Sequence, residues 1–199
     1  MRGRFIVLEG ADGTGTTTQA RALADHLIAK GRTVHVTAEP SRGPIGALIR
    51  QMLGGERPRE AIHRELALLF AADRLDHLAR EIEPKLVAGV DVISDRYVLS
   101  SLVYQSLDLP LPWIESLNQH APPAEVTVLL TLPVDVALAR VLGRAGQREV
   151  FDAREVQARV HARYLELAQR AHARVVDGDG AIAEVSARLC AAVDAALGT

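Results

Sequence analysis

The sequence has little of several features that would narrow its class. Cys190 is the single cysteine among 199 residues, so no disulfide can form within the chain, and a reducing cytoplasm fits this composition. Aromatic residues make up only 4% of the chain, and the formal net charge is -2. Without a global positive field, the chain is not expected to hold a nucleic-acid polymer, and an anionic ligand needs a local site. The N-terminal apolar stretch, Phe5 to Leu8, is too short for a membrane span, so no membrane partner is expected.

Short apolar runs and helical patterns alternate along the whole chain. Strands are predicted from the runs 5–8, 33–37, 90–94, 126–132 and 174–177. Helical spacing separates them, and one long helical stretch from Arg59 to Ala88 is expected to break near Pro84. This alternation predicts one α/β domain over residues 1–199, a doubly wound five-stranded parallel sheet flanked by helices. Ligands of such sheets bind at the carboxyl ends of the strands, here Glu9, Thr37 and Ser94 onward.

A glycine-rich turn follows the first strand and opens a helix. Its length and glycine spacing match the phosphate-binding P-loop, whose backbone N–H groups surround phosphate oxygens. Its residues are Gly10, Ala11, Asp12, Gly13, Thr14, Gly15, Thr16, Thr17 and Thr18. The pattern requires lysine where Thr16 stands, so the charge that normally reaches the β- and γ-phosphates is missing. By itself, this turn fits a phosphate-binding loop and an ordinary strand-to-helix turn equally well.

Three further segments match one family in order and spacing. The opening FIVLEGADGTGTTTQ, the segment LLFAADRLDH at 68–77 and the segment ISDRYVLSSLVYQ at 93–105 resemble those of thymidylate kinases. The Tyr-Leu-x-Leu-Ala run that ends at Ala168 adds a fourth match near the C-terminus. The resemblance covers nearly the whole chain and implies the fold of P-loop nucleotide kinases. It also implies ATP as phosphoryl donor, Mg²⁺ as cofactor, dTMP as acceptor and a homodimer.

The resemblance implies a role for each matching residue. Arg96 would contact the acceptor phosphate, and Asp12 would lie near that phosphate and the sugar. Phe70 would stack on the pyrimidine, and Arg74 would bond its carbonyl edge. The set of acceptor-binding residues is Asp12, Glu39, Phe70, Arg74, Arg96, Ser101, Tyr104 and Gln105. Thr17 and Asp95 would bind the metal ion. From the residues alone, Phe70 could equally be core, Arg74 could pair with Asp73 or Asp76, and Asp95–Arg96 could be a surface pair.

A basic stretch with two glycines follows the fourth strand. Residues Arg140, Arg144 and Arg148 surround Gly143 and Gly146, and the resemblance implies a mobile lid over about 140–152. The predicted catalytic residues are Arg144 and Arg148 in this lid, and Asp12 and Arg96 outside it. We hypothesise that one of the two lid arginines compensates for Thr16. The alternative is a solvated basic helix face.

Two more departures from the family pattern concern charge. Ala38 stands where many bacterial members have arginine before Glu-Pro, and Arg42 is a second candidate to replace lost charge. The sequence therefore predicts ATP-dependent phosphorylation of dTMP to dTDP. The alternatives are a kinase for another nucleotide or deoxynucleoside, and a nucleotide-binding protein that has lost catalysis.

Overall fold

Five parallel strands form one sheet in the computed structural model, which describes residues 1–55, 61–142 and 150–198, without the side chains of 142 and 150–153. The strands are β1 (Phe5–Gly10), β2 (Val34–Ala38), β3 (Asp91–Asp95), β4 (Val126–Thr131) and β5 (Arg174–Asp177). Their order across the sheet is β2-β3-β1-β4-β5. The predicted five-stranded parallel sheet is confirmed, with ends of β2, β3 and β4 shifted by one residue and β1 extending two residues beyond its predicted end.

Helices connect the strands and cover both faces of the sheet. They are α1 (Thr16–Ala29), α2 (Pro44–Leu53), α3 (His63–His77), α4 (Glu83–Val87), α5 (Val98–Gln105), α6 (Leu111–Asn118), α7 (Val134–Leu142), α8 (Val150–Arg170) and α9 (Ile182–Leu197). No helix in the described ranges has the length and apolar character needed to cross a membrane.

The long helical stretch predicted before β3 is interrupted, as expected near Pro84. A π-helical turn, Leu78–Ile82, separates α3 from α4, and Pro84 lies in the first turn of α4. Proline has no N–H group to donate to the preceding turn, which explains why the regular hydrogen-bond pattern changes there.

The alternation of side chains along β1 builds two core layers. Ile6 and Leu8 pack with Leu23 and Leu27 of α1 and with residues of α9, including the buried Cys190. Phe5 and Val7 face the other way and pack with Leu78, Ile82 and Leu86. Successive strand residues point to opposite faces, so a strand that is covered on both sides must be apolar throughout.

The register of the sheet brings three strand ends to one edge. Leu8 of β1 and Ala38 of β2 both pair with Asp95 of β3. The chain fills the sheet on one side of β1 before it crosses to β4 and β5 on the other side. The change of direction therefore lies beside the carboxyl end of β1, where the P-loop begins, and this is where such sheets bind ligands.

Candidate active site

A cavity of about 260 Å³ opens beside the carboxyl ends of β1 and β3. All eight predicted acceptor-binding residues line it, namely Asp12, Glu39, Phe70, Arg74, Arg96, Ser101, Tyr104 and Gln105. Pro40, Leu53, Leu66, Tyr97 and Ser100 complete its wall. We call this space the acceptor cavity. Residues from four separate segments of the chain thus meet in one place, as the resemblance implies.

The apolar end of the acceptor cavity is formed by Phe70. Its ring packs against the cluster of Ile49, Ile62 and Leu66 and is half-buried, so it belongs to the core and faces the cavity at once. A flat apolar surface of this kind suits the face of a nucleobase. The core alternative and the stacking role are therefore compatible.

Arg74 lies at the base of the acceptor cavity, with only 1% of its surface exposed. Its Nε donates to Glu39 Oε2 at 2.9 Å, and Nη2 donates to Ser101 Oγ at 2.9 Å and to the Tyr97 carbonyl at 3.1 Å. Nη1 donates to Asn118 Oδ1. The alternative pairing with an acidic neighbour on its own helix is wrong.

These contacts occupy four of the five N–H groups of the guanidinium. Among the described residues, one N–H on Nη1 has no hydrogen-bond acceptor. Asn118 is itself oriented, because its Nδ2 donates to the Ile114 carbonyl at 2.8 Å, which turns Oδ1 toward Arg74. Nothing in the sequence motifs marks Asn118, so sequence reasoning missed it.

The segment after β2 is held against α3 by two carboxylates. Glu39 binds Arg74, and its Oε1 lies 3.4 Å from His77 Nδ1. Asp73 Oδ2 accepts from the Ser41 backbone N–H and Oδ1 accepts from its hydroxyl, both at 2.6 Å. The Asp-Arg-x-x-His pattern of α3 therefore fastens this loop from one helix face, as residues one turn apart lie on the same side.

Arg96 connects the acceptor cavity to the P-loop. Its backbone has a φ of 75°, and its Nη2 donates to Asp12 Oδ1 at 2.6 Å. Nη1 donates to Tyr164 Oη at 3.2 Å and to Ser100 Oγ at 3.3 Å. The guanidinium carbon lies 5.3 Å from the centre of the Tyr104 ring. The alternative of a surface pair between Asp95 and Arg96 is therefore wrong, since these two side chains have other partners.

Glu9, near the end of β1, binds the start of helix α5 and the two hydroxyls that Arg96 also contacts. Its Oε1 accepts from the backbone N–H groups of Tyr97 at 2.9 Å and Ser100 at 3.2 Å. Its Oε2 accepts from Ser100 Oγ at 2.5 Å and from Tyr164 Oη at 3.4 Å. A carboxylate from the sheet thus satisfies the free N–H groups at the start of α5, a position where negative charge is favourable.

We expect Glu9→Gln to change how stability depends on pH. Burial raises the pKa of the Glu9 carboxyl above its ordinary value of 4.5, so just above pH 4.5 the folded protein retains a proton that the unfolded chain releases. As pH rises, the free energy of unfolding of the wild type should fall relative to that of the variant, whose amide does not titrate. Urea denaturation of both proteins from pH 4.5 upward measures this difference. A difference that is constant with pH would contradict the assignment.

The P-loop has the backbone shape of a phosphate cradle. Gly13 and Gly15 adopt φ values of 89° and 91°, which L side chains rarely tolerate, and α1 begins at Thr16. Thr14 closes the turn, since its N–H and its hydroxyl both donate to the Ala11 carbonyl, at 3.2 and 2.8 Å. Backbone N–H groups at a helix N-terminus attract phosphate oxygens.

Thr16 turns inward and adds no charge to this loop. It is 7% exposed, and a Cβ built on Gly10 would lie 3.2 Å from its methyl group. The side chain therefore folds back toward the start of the loop. The loop therefore has the backbone conformation of a phosphate-binding loop but lacks the positive charge at position 16.

The predicted ATP-binding residues face three different spaces. Gly13, Thr14, Gly15 and Thr18 line a second cavity of about 280 Å³, together with Arg140, Gly178 and Gly180. Thr17 lines a groove on the other side of the loop, and Asp12 lines the acceptor cavity. Ala11 and Thr16 are buried within the loop. The second cavity lies beyond β5, and with the P-loop it offers room for a donor nucleotide.

Thr17 and Asp95 form a suitable pair for Mg²⁺. The Thr17 hydroxyl donates to Asp95 Oδ2 at 2.5 Å, while Asp95 Oδ1 is buried and has no hydrogen-bond partner among the described residues. Magnesium is usually held by one or two carboxylates together with phosphate oxygens and water. Within the described ranges no group of three or more His, Cys, Asp or Glu residues could hold a metal. The oxygen donors present therefore fit a metal bound jointly with nucleotide.

The two predicted lid arginines, Arg144 and Arg148, lie outside the described residues. Their roles stay predictions. Arg140, at the end of α7, is described and lines the second cavity.

Comparison with known proteins agrees with this arrangement. The family model described as "Thymidylate kinase" matches residues 8–189. A protein of Thermococcus onnurineus is 39% identical over 198 residues, which cover 96% of this chain and 97% of that protein. One from Thermococcus gammatolerans is 41% identical over 92% of both chains, and one from Pyrococcus abyssi is 39% identical over 97% of both. All three carry the name "Probable thymidylate kinase".

The family match and the relatives extend from the P-loop through the acceptor cavity to α9. They include the segments that carry Asp12, Arg74 and Arg96. This chain belongs to the thymidylate kinase family.

Proposed function

We propose that the protein transfers the γ-phosphoryl group of ATP to dTMP and releases dTDP and ADP. The observation that carries this proposal is the bond of 2.6 Å between Arg96, in the acceptor cavity, and Asp12, in the P-loop. It joins the space for a phosphorylated acceptor to the loop that would hold the donor phosphates. Two phosphate groups bound there would meet end to end.

An oxygen of the dTMP phosphate attacks the γ-phosphorus of ATP, and the bond from that phosphorus to the β–γ bridging oxygen breaks. ADP leaves with the bonding electron pair. The protein positions the two nucleotides and offsets negative charge, which is the main demand of phosphoryl transfer. Arg96 grips the acceptor phosphate, because a guanidinium can bind two of its oxygens at once.

The base is held by the other end of the acceptor cavity. Phe70 stacks on the pyrimidine, and the free N–H of Arg74 donates to a carbonyl on its edge. Gln105 is 7% exposed, and its Oε1 is a buried acceptor without a partner among the described residues. Tyr104 packs beside the sugar, and Ser101 shares a hydrogen bond with Arg74. An unpaired buried acceptor is costly, so a ligand that donates to Gln105 is favoured.

The donor nucleotide occupies the P-loop and the second cavity. Thr17 and Asp95 would hold Mg²⁺, which supplies positive charge to the donor phosphates when it is bound. We further propose a lid over about 140–152 that brings Arg144 or Arg148 to the nucleotide, one catalytic domain over residues 1–199, a homodimer and a cytoplasmic location.

The test is a coupled ADP-release assay with dTMP, dUMP, dCMP and thymidine as acceptors. Turnover should be highest with dTMP, and thymidine should fail because Arg96 has no phosphate to bind. One methyl group is worth roughly 1–3 kcal/mol, so dUMP should be about 10- to 100-fold poorer in kcat/KM. Thymidine as the best acceptor would instead indicate a deoxynucleoside kinase. Nucleotide binding without turnover, with turnover gained in Thr16→Lys, would indicate lost catalysis.

A further inference from the structure

We propose that Arg21 and Arg42 supply, from the groove beside Thr17, the positive charge that the P-loop lacks at position 16. The inference rests on the proposed function, because the charge would act on the γ-phosphoryl group while it is transferred from ATP. Nothing in the family pattern assigns either arginine a role.

The groove has a volume of about 590 Å³ and adjoins the candidate metal pair. Thr17 and Asp95 lie on its wall, and so do Arg21, Arg42 and Ala38. Asp95 gives this wall a carboxylate whose buried Oδ1 has no hydrogen-bond partner within the described chain, which suits a metal ion bound together with phosphates. Ala38 stands where many bacterial members have arginine, so a second cation of the family pattern is also absent from this wall.

Arg21 is placed by the geometry of α1. It follows Thr17 by four residues, so the two side chains lie on the same face, one turn apart. Side chains on a helix lean toward its N-terminus, which directs the long Arg21 side chain toward Thr17 and the P-loop. Arg21 is exposed and forms no hydrogen bond or ion pair with the rest of the described chain.

Arg42 is carried on the loop after β2, which the structure holds firmly. Ser41 is bonded twice to Asp73, and Arg50 Nη1 donates to the carbonyls of Pro40 at 2.9 Å and Ser41 at 2.7 Å. Arg50 also lines the groove, and its Nη1 is used in these two bonds to the loop. The Arg42 guanidinium, by contrast, has no partner in the described ranges and is exposed.

Two other described arginines near the P-loop line other cavities. Arg96 is bonded to Asp12 and lines the acceptor cavity. Arg140 lines the second cavity, on the opposite side of the loop from Thr17. Arg21 and Arg42 are therefore the groove-lining arginines whose guanidinium groups have no hydrogen bond or ion pair within the described ranges.

The experiment is a set of mutant cycles between each arginine and position 16. Arg21→Ala and Arg42→Ala are made in the wild type and in the Thr16→Lys variant, and kcat is measured with saturating ATP and dTMP. In the wild-type background we expect each alanine to lower kcat roughly 10- to 100-fold, the scale of one lost preorganised charge. In the Thr16→Lys background the same changes should cost less than about threefold, because the introduced lysine supplies the charge. Arg170→Ala, an exposed arginine paired with Glu115, is the control and should leave kcat unchanged.

A binding measurement without turnover accompanies the cycles. Calorimetry measures the affinity for ADP and for the β,γ-imido analogue of ATP. Each alanine substitution should weaken binding of the analogue more than binding of ADP, because the proposed arginine contact is to the γ-phosphate. Equal losses of kcat with and without Thr16→Lys, or unchanged preference for the analogue, would overturn the inference while the proposed function stands. The same cycle on Arg144→Ala and Arg148→Ala would then locate the charge in the lid. A wild type without any turnover would refute the proposed function and the inference together.

Discussion

Arg96→Ala should lower kcat/KM for dTMP about a thousandfold while leaving the protein folded. A single lost donor or arginine at a transferring phosphoryl group costs on the order of 10² to 10⁵ in rate. A thousandfold loss corresponds to about 4 kcal/mol of transition-state stabilisation. The folded state should tolerate the change, because Asp12 has 59% of its side chain exposed and the hydroxyls of Ser100 and Tyr164 keep their bonds to Glu9. Steady-state kinetics and a thermal melt on the same sample measure both effects.

Arg96→Lys separates charge from geometry at this position. Lysine keeps the charge, but it lacks the planar fork that bonds Asp12, Ser100 and Tyr164 together. We expect it to recover only part of the lost activity. Full activity in either variant would remove Arg96 from the acceptor-phosphate site.

Arg74→Ala should destabilise the fold by about 3–5 kcal/mol, the cost of leaving one member of a buried ion pair uncompensated. The side chains of Arg74 and Glu39 are 1% and 3% exposed, so the remaining carboxylate would be poorly solvated, with His77 Nδ1 as a titratable neighbour at 3.4 Å. For a chain of this length the melting temperature should fall by roughly 10 °C. Chemical denaturation with and without nucleotide measures the loss.

Two further variants make this prediction specific. Arg80→Ala breaks an exposed pair with Asp76 close to the same helix, and it should change stability by less than about 1 kcal/mol. Adding Glu39→Gln to Arg74→Ala removes the unpaired charge and should restore part of the stability. If the double variant is as unstable as the sum of the two single variants, the loss reflects packing and the ion pair is not its cause.

Much of the fold could be predicted from local patterns. Short strand-like runs marked all five strands, and one of them, Arg174–Asp177, has the predicted bounds. The interruption near Pro84 was also expected, since proline has no N–H to donate. The order of the strands and the π-helical turn could not be predicted, because they depend on contacts between segments far apart in the sequence.

The acceptor cavity was predictable to the extent that its residues belong to motifs. Asp12, Arg74 and Arg96 stand in three motif segments, and the structure brings these segments together. Their pairings were not predictable. Arg74 was considered beside Asp73, its neighbour along the chain, whereas its partner Glu39 lies 35 positions away.

The residues that support the site were missed for a physical reason. Asn118 bonds Arg74, and Glu9 accepts hydrogen bonds from Tyr97, Ser100 and Tyr164 across the fold; no periodicity or spacing in the sequence indicates such bonds. Glu9 was recognised only as the end of the first strand, although its burial and its bonds to Ser100 make it the cap of α5. In other chains, a carboxylate residue that directly follows an apolar strand run is the sequence signal that could be examined.

The enclosure of Arg74 has a consequence for nucleotide binding. Glu39, Asn118 and Ser101 fix the guanidinium as the chain folds, before any ligand arrives. The conformational entropy lost in ordering this long side chain therefore belongs to folding and does not weaken the affinity for the base. Because Arg74 is held in this way, this part of the cavity cannot rearrange to fit a base of different shape, which favours selectivity.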